Sequence, residues 1–339
     1  MAPFRFMLLG TGFFARKWLE VLKACGDCEV VGIASRTAAR AEELKRDFDL
    51  PGAAVYPGWE AVSAAGGVDG VLITLPQMFH PPATIGALQA GLHVLVEKPL
   101  SLDLASARAV CEEAGRHPNL VVMVNQNYRW RPHIRALRRA IREGLVGRVG
   151  HIQIQVRQQI RRPTVGGWRE QMAEPFLLDF AIHHFDLIRH LTGDEAARVL
   201  GASFRPSWSW FEGNSAAAAI LTMRSGSVVD YGGTMVSQGL ETTQEGLITV
   251  IGEKGTLQLD GKSQVSLHGQ GDARLLPQDA IPGGELGYAL AEFLGAIREN
   301  RQPETHVAEH IRSLALPLAV VESARRKAAV EMEDLLSFL

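Results

Sequence analysis

From Phe6 to Asn125 the chain alternates short, continuously apolar runs with segments whose apolar residues recur at helical spacing. Phe6–Gly10, Glu29–Ser35, Val71–Leu75, Val94–Glu97 and Leu120–Asn125 read as strands, with Val55-Tyr56 as a short extra one. Between them, Phe14–Lys23, Ala38–Asp47, Pro82–Ala90 and a segment capped by Ser101 that runs to about Gly115 read as helices. Strands that are apolar throughout, each followed by a helix, predict an α/β domain with a buried parallel sheet. The pattern then changes. His133–Glu143 reads as an amphipathic helix, Arg148–Ile160 alternates as a strand, and Pro175–Leu191 reads as one long apolar helix. Strand-like runs separated by Gly and Ser turns follow from Arg198 to about His268, among them Ala216–Met223, Ser227–Val236, Gly246–Ile251 and Thr256–Leu259. That block predicts a large, mostly antiparallel sheet. Helices at about Glu285–Asn300 and Glu309–Ala329 close the chain. The expectation is therefore an α/β domain over residues 1–125, then an α+β domain over 126–339 that includes the closing helices 285–329.

The turn between the first strand and its helix carries chemistry. Gly10-Thr11-Gly12-Phe13-Phe14-Ala15 matches G-x-G-x-x-G/A. In this strand–turn–helix setting Gly10 permits the tight turn and Gly12 lets backbone approach a pyrophosphate. Ala15 keeps helix and strand close, and the helix N-terminus faces the phosphate charge. This is the dinucleotide-binding fingerprint of a Rossmann domain. About 20 residues further on, where an acidic residue would bond the ribose hydroxyl of NAD, the second strand ends in Ser35-Arg36, with Arg40 beyond. A guanidinium there suits a 2′-phosphate, so NADP is favoured over NAD.

Two other places hold titratable groups where chemistry is expected. Glu97-Lys98-Pro99 directly follows the apolar run His93–Val96, which puts Lys98 at the carboxyl end of a strand, and Pro99 fixes the backbone behind it. On the long apolar helix, Asp179, His183, Asp186 and His190 recur so as to share one face. Charged groups on a helix that is apolar nearly all round form a satisfied structural network, a metal site, or a general-base site in which Asp179 fixes the tautomer of His183.

Charge narrows the partners. Lys+Arg number 35 and Asp+Glu 37, a formal net charge of −2, which argues against nucleic acid as a partner. Arg135, Arg138, Arg139 and Arg142 line one face of the 133–143 helix and read as a solvated face. No apolar run reaches the roughly 18 residues of a membrane span, and the start has no signal-peptide form, so a cytoplasmic protein off the membrane is expected. Cys25, Cys28 and Cys111 imply no disulfide framework, and Cys25-Gly-Asp-Cys28 reads as an incidental pair in a surface turn.

Taken together, Gly10-x-Gly12-x-x-Ala15, Glu97-Lys98-Pro99 and Asp179-x-x-x-His183-x-x-Asp186 resemble the Gfo/Idh/MocA family, named from glucose-fructose oxidoreductase, inositol dehydrogenase and a rhizopine-catabolism protein. The resemblance extends over nearly the whole chain, through Asn127-Tyr-Arg129-Trp-Arg-Pro132, Trp168-Arg169 and the closing Glu309–Arg325 helix. It implies a Rossmann domain followed by an α+β domain whose open sheet makes homodimer or homotetramer contacts. It also implies hydride transfer between NAD(P) and a sugar or cyclitol hydroxyl, with no metal required. By that resemblance Lys98, Asp179 and His183 are the catalytic residues. His183 takes the hydroxyl proton, Lys98 orients and polarises the oxygen, and Asp179 supports the site. Thr74, Pro76, His80, Glu97, Lys98 and Gln126 fall on the cofactor groove, and Arg129, Trp168, Arg169, Glu174 and His184 on the substrate side. The chain departs from the family pattern at Ala173-Glu174-Pro175, where a glycine run is usual, and at Ala181, where glycine is common. Glu174 is therefore expected to add a carboxylate at the pocket mouth. A nucleotide-binding regulator without turnover and an NAD-dependent glycosidase are the rival functions on the same scaffold.

Overall fold

The computed structural model describes residues 2–162, 167–269 and 271–337. The chain forms two compact units, one of Met1–Asn127 with Pro282–Ile311 and one of Tyr128–Ile281 with Arg312–Leu339.

The first unit begins with β1 (Phe4–Leu9), α1 (Phe13–Ala24), β2 (Cys28–Ala34), α2 (Ala38–Asp47) and β3 (Ala54–Tyr56). It continues with β4 (Gly70–Ile73), α3 (His80–Gln89), β5 (His93–Glu97), α4 (Leu104–Arg116) and β6 (Val122–Asn125). Among the described residues the strands form a six-stranded parallel sheet in the order β3-β2-β1-β4-β5-β6. β4 and β6 are buried along their whole length, as continuous apolar strands covered on both faces must be. The strand order reverses between β1 and β4, the crevice where open α/β sheets bind ligands. One cap differs from expectation. Asp103, not Ser101, caps α4: its Oδ1 accepts from the Ser106 backbone N–H at 2.8 Å, while the Ser101 hydroxyl donates to the Asp103 carbonyl at 2.5 Å. Asp103 immediately precedes the first helical residue, the place from which a side chain reaches the open N–H groups.

The chain goes on through α5 (Pro132–Arg142), β7 (Val149–Arg157), a π-helical turn (Phe176–Phe180) and α6 (Ile182–Thr192). Then come β8 (Ala196–Phe204), β9 (Ala216–Met223), β10 (Val228–Thr234), β11 (Leu247–Gly252), β12 (Gly255–Leu259), β13 (Val265–His268) and β14 (Arg274–Leu275). The last elements include α7 (Gly284–Arg298), α8 (Val307–Arg326) and β15 (Val330–Glu331). In the second unit the described strands form a nine-stranded sheet, β14-β13-β12-β11-β7-β10-β9-β8-β15. Its pairs are antiparallel except β7 with β10. In β9, β10, β7 and β11 one face is buried, and the other face carries Leu200, Ile220, Asp230, Gln153 and Thr249 in register across β8, β9, β10, β7 and β11.

α7 does not belong with the residues 126–339 among which the sequence pattern grouped it; it is part of the first unit. Aromatic packing gives the reason. Phe293 on α7 is fully buried, 6.0 Å centroid to centroid from Phe4 and 5.9 Å from Phe6 on β1. The Val124 N–H of β6 donates to the Thr305 carbonyl at 3.0 Å, and the Thr305 hydroxyl donates back to the Val124 carbonyl at 2.6 Å.

Candidate active site

In the first unit, β1 delivers the chain to Gly10, which has φ +107°. A Cβ there would lie 2.9 Å from both the carbonyl oxygen and Oγ1 of Thr74, so backbone conformation and space both require glycine. Thr74 in turn donates its N–H and its hydroxyl to the Leu9 carbonyl, at 2.8 and 3.1 Å. This locks the ends of β1 and β4 side by side. Gly12 is different, since a Cβ added there meets nothing within 4 Å. It precedes α1 without a side-chain cap, and the first turn of α1 holds no acidic residue. Open N–H groups behind a bare glycine, with Ala15 buried against the sheet, fit a dinucleotide pyrophosphate.

Ser35, at the end of β2, is buried, with its Oγ 3.3 Å from Thr11 Oγ1 and accepting from the Thr37 N–H at 3.2 Å. It shapes the turn. Arg36 and Arg40 are exposed beyond it, and the Arg36 guanidinium carbon is 6.0 Å from the centre of the Phe79 ring. Phe13 is exposed and meets Phe14 edge to face at 5.6 Å.

Lys98 is half-buried at the end of β5, and its peptide bond to Pro99 is cis. Its two neighbours in the motif are fixed from behind. Glu97 is buried, and its Oε1 accepts from Trp18 Nε1 and Asn125 Nδ2, each at 2.8 Å. Burial raises the Glu97 pKa against these bonds and the Lys98 charge, which lower it. Pro99 is held by His80, whose Nδ1 lies 2.7 Å from the Pro99 carbonyl and Nε2 2.8 Å from the Leu75 carbonyl. The imidazole thus ties the ends of β4 and β5 together. Burial lowers its pKa. Gln126 Nε2 is 3.3 Å from His310 Nδ1, and His310 Nε2 accepts from the Leu100 N–H at 3.3 Å. His80, Glu97 and Gln126, expected to line the cofactor groove, therefore brace the corner that carries Lys98. Pro76 opens a short helical turn, Gln77–Phe79, just after β4.

In the second unit, the segment expected as one helix is two. The Ala181 N–H reaches back to the Phe176 carbonyl at 2.7 Å, closing a π turn before α6 starts at Ile182. The wider turn breaks the helical phase between Asp179 and the later residues of the stripe, and such turns recur at functional sites. Asp179 is buried and accepts from Arg169 Nε at 2.6 Å. Arg169 is half-exposed and its guanidinium carbon lies 4.4 Å from the centre of the Trp168 ring, so Trp168, Arg169 and Asp179 form one cluster. His183 is buried and lies flat on Tyr128, with ring centroids 3.9 Å apart and an interplanar angle of 7°.

Three residues expected on the substrate side are held by protein partners. Arg129 forms a two-pronged ion pair with Asp186, Nε to Oδ2 and Nη2 to Oδ1, both 2.6 Å, and both side chains are buried. Burial works against the Asp186 charge, but Arg129 and the Ser313 hydroxyl outweigh it and hold the carboxyl at about 2. His184 is fully buried, with Nδ1 2.9 Å from the Tyr231 hydroxyl and Nε2 2.7 Å from the Gln244 carbonyl; burial lowers its pKa to about 4. Glu174 accepts from the Ser203 hydroxyl and from Asn214 Nδ2, which ties the start of the π turn to β8 and to the segment before β9. Sequence reasoning missed Tyr128 and Arg131. The signal available was the aromatic and basic run Asn127–Arg131 directly after β6.

Residues 4–126 match the family description "Oxidoreductase family, NAD-binding Rossmann fold", and residues 134–258 match the "GFO/IDH/MocA C-terminal domain". The chain belongs to the Gfo/Idh/MocA family. It is an enzyme of the dehydrogenase and reductase class. Among curated proteins it is similar to D-apiose dehydrogenase from Paraburkholderia graminis, at 29% identity over 98% of this chain and 90% of that protein. It is equally similar to 1,5-anhydro-D-fructose reductase from Ensifer adhaerens, at 29% identity over 97% of this chain and 98% of that protein. Among solved structures, an oxidoreductase from Agrobacterium radiobacter in complex with NAD+, L-tartaric acid and magnesium has the same fold, with a TM-score of 0.90, 20% identity, and coverage of 98% of this chain and 100% of that one.

Proposed function

We propose that this Gfo/Idh/MocA oxidoreductase acts on a secondary hydroxyl, or the matching carbonyl, of a sugar, sugar derivative or cyclitol, with Lys98, Asp179 and His183 as its catalytic residues. The observation that carries the reading is His183, a buried imidazole laid flat on Tyr128, in a chain that also keeps Lys98 on a corner braced by Glu97 and His80. Its relatives of like length named for apiose and anhydrofructose support the substrate class. The bound nicotinamide supplies hydride acceptance or donation. In the oxidative direction a His183 ring nitrogen takes the hydroxyl proton, and the Lys98 ammonium donates a hydrogen bond to the same oxygen as negative charge builds on it. Arg169 holds the Asp179 carboxylate through the 2.6 Å ion pair, one helical stretch before His183. In reduction the same groups run in reverse, with His183 returning the proton.

Arg36, exposed past β2 where no carboxylate stands, supports NADP as the preferred dinucleotide. Leu200, Phe204, Ile220 and Ile251, exposed on the outer side of the nine-stranded sheet, support self-association through that face. The three cysteines are thiols, in keeping with the cytoplasm.

The test is a turnover screen of NAD and NADP against sugars, sugar acids and cyclitols, followed at the reduced-nicotinamide band. Lys98→Met should abolish turnover while leaving dinucleotide affinity within about tenfold, roughly 1.4 kcal/mol. His183→Ala should lower kcat by about 10²- to 10⁴-fold. Wild-type turnover in Lys98→Met removes Lys98 from the reaction. Product formation without net change in the band would instead mean redox-assisted elimination.

A further inference from the structure

Tyr128 is 5% exposed and sits in the short turn Asn127–Trp130 that follows β6. The His183 ring centroid is 3.9 Å from its own, and the Arg131 guanidinium carbon is 3.7 Å from the same point. Atoms in van der Waals contact stand about 3.5–4.0 Å apart, so each of these planar groups fills the contact layer of a ring face. They must cover opposite faces. The phenol ring is sandwiched between a guanidinium and an imidazole.

Arg131 cannot swing away easily. Its Nη1 donates to Glu245 Oε1 at 2.5 Å and its Nη2 to Gln244 Oε1 at 3.0 Å. Glu245 Oε1 is also 2.6 Å from His133 Nε2, on α5. Burial disfavours the Glu245 charge, but His133 and Arg131 overcome this and hold its carboxyl below the ordinary carboxylate range. Gln244 also receives the Tyr128 hydroxyl on Oε1 at 3.4 Å and stands against His184 through its backbone carbonyl. The support therefore runs from the Gln244-Glu245 segment before β11, through Arg131, into the back of Tyr128, and out to His183.

An imidazole on a helix has its Cβ placed by the backbone, but rotation about its last side-chain bond is broad. A general base needs its nitrogen lone pair, which lies in the ring plane, aimed at one proton. We propose that Tyr128, clamped from behind by Arg131, is a positioning residue that fixes the plane of the His183 ring and so aims its nitrogen at the reacting hydroxyl. The inference rests on the reading of His183 as the proton acceptor. It adds an aromatic stack to the orienting of His183 that the sequence pattern gave to Asp179.

The experiment compares Tyr128→Leu, which removes the ring, with Tyr128→Phe, which removes only the hydroxyl, and with His183→Ala. Tyr128→Leu should lower kcat about 10- to 100-fold, the scale on which misplacement of a reacting group slows a reaction, while KM and dinucleotide affinity hold. Tyr128→Phe should restore kcat, because the stacked face is intact. A second readout needs no substrate. In protein labelled with ¹³C at the histidine Cε1, the His183 signal, assigned by its loss in His183→Ala, should be shifted upfield by the Tyr128 ring current in the wild type and in Tyr128→Phe. A wild-type signal at the free-imidazole position overturns the stack even if Tyr128→Leu does not fold. Equal slowing in Tyr128→Phe and Tyr128→Leu, or full activity in Tyr128→Leu with His183→Ala inactive, overturns the positioning role and leaves the function standing. Full activity in His183→Ala overturns the function on which it rests.

Discussion

Replacing Arg129 by Met should cost roughly 4 kcal/mol of stability at pH 7, and that cost should shrink on acidification. Arg129 and Asp186 are 3% and 1% exposed and share two 2.6 Å bonds. Ser313 adds a third contact to the carboxylate at 2.7 Å and is itself bonded to Arg189 Nη1 at 2.7 Å. Without the guanidinium, Asp186 has two courses. It can stay charged, a buried uncompensated ion, at about 3–5 kcal/mol. It can instead take a proton, which at pH 7 costs 1.36 kcal/mol for each unit above an unfolded value near 3.9, or about 4 kcal/mol. The cheaper course sets the loss. In the wild type Asp186 titrates at about 2 in the folded state, below its unfolded value, so its contribution is constant above pH ~4 and is lost only as pH falls from there toward 2. In the variant the folded value lies above the unfolded one, so the folded state binds the extra proton and gains as pH falls. The wild-type-minus-variant gap should therefore drop to about 1.5–2 kcal/mol at pH 5. Urea-unfolding midpoints of both proteins at the two pH values measure this, and subtraction cancels the groups they share. A gap that is the same at pH 5 and pH 7, or below about 1 kcal/mol at pH 7, refutes the reasoning.

Three further outcomes follow from the geometry. Gly12→Ala should fold as stably as the wild type, since its Cβ meets nothing within 4 Å, yet bind dinucleotide more weakly in a titration; unchanged affinity would remove the pyrophosphate from that turn. Arg36→Ala should weaken NADP about tenfold or more and leave NAD nearly unchanged, with equal losses counting against phosphate pairing. His184, held neutral with a folded value of about 4 against roughly 6.5 unfolded, makes the unfolded state bind more protons in between. Stability should thus be lost as pH falls from about 6.5 toward 4, by up to roughly 3 kcal/mol. His184→Gln should flatten that slope in chemical unfolding, and an equally steep slope in the variant would show that other groups carry it.

What the sequence made legible follows from periodicity. The strands of the parallel sheet, the glycine turn and the lysine at a strand end all depend on local order, and each lies within a few residues of its expected place. What was not legible is where partners distant in sequence hold a residue. Arg129, His184 and Glu174 are polar residues close to the aromatic run after β6 or to the Asp179–His183 stretch, which is how substrate ligands look in a sequence. Their partners Asp186, Tyr231 and Ser203 are 57, 47 and 29 residues away and have no mark in the pattern. The stripe Asp179, His183, Asp186 and His190 assumed unbroken α-helical phase, which the π turn at Phe176–Phe180 interrupts. The stacking of Tyr128 on His183 bridges 55 positions, so the run Asn127–Arg131 marks the place without showing the partner.

The dinucleotide-binding unit is built from two stretches of chain, Met1–Asn127 and Pro282–Ile311, so the polypeptide passes between units three times. The last passage falls inside the continuous helix α8. A gene cut after Asn127 would yield a sheet whose Phe4 and Phe6 lack Phe293 and whose β6 lacks Thr305. Exchanging the second unit for that of a relative is therefore a transplant with three seams, not one, and the third must be matched residue by residue in helical phase. A permuted gene that fuses 282–311 to the front or back of 1–127 is the simpler route to an isolated dinucleotide-binding unit.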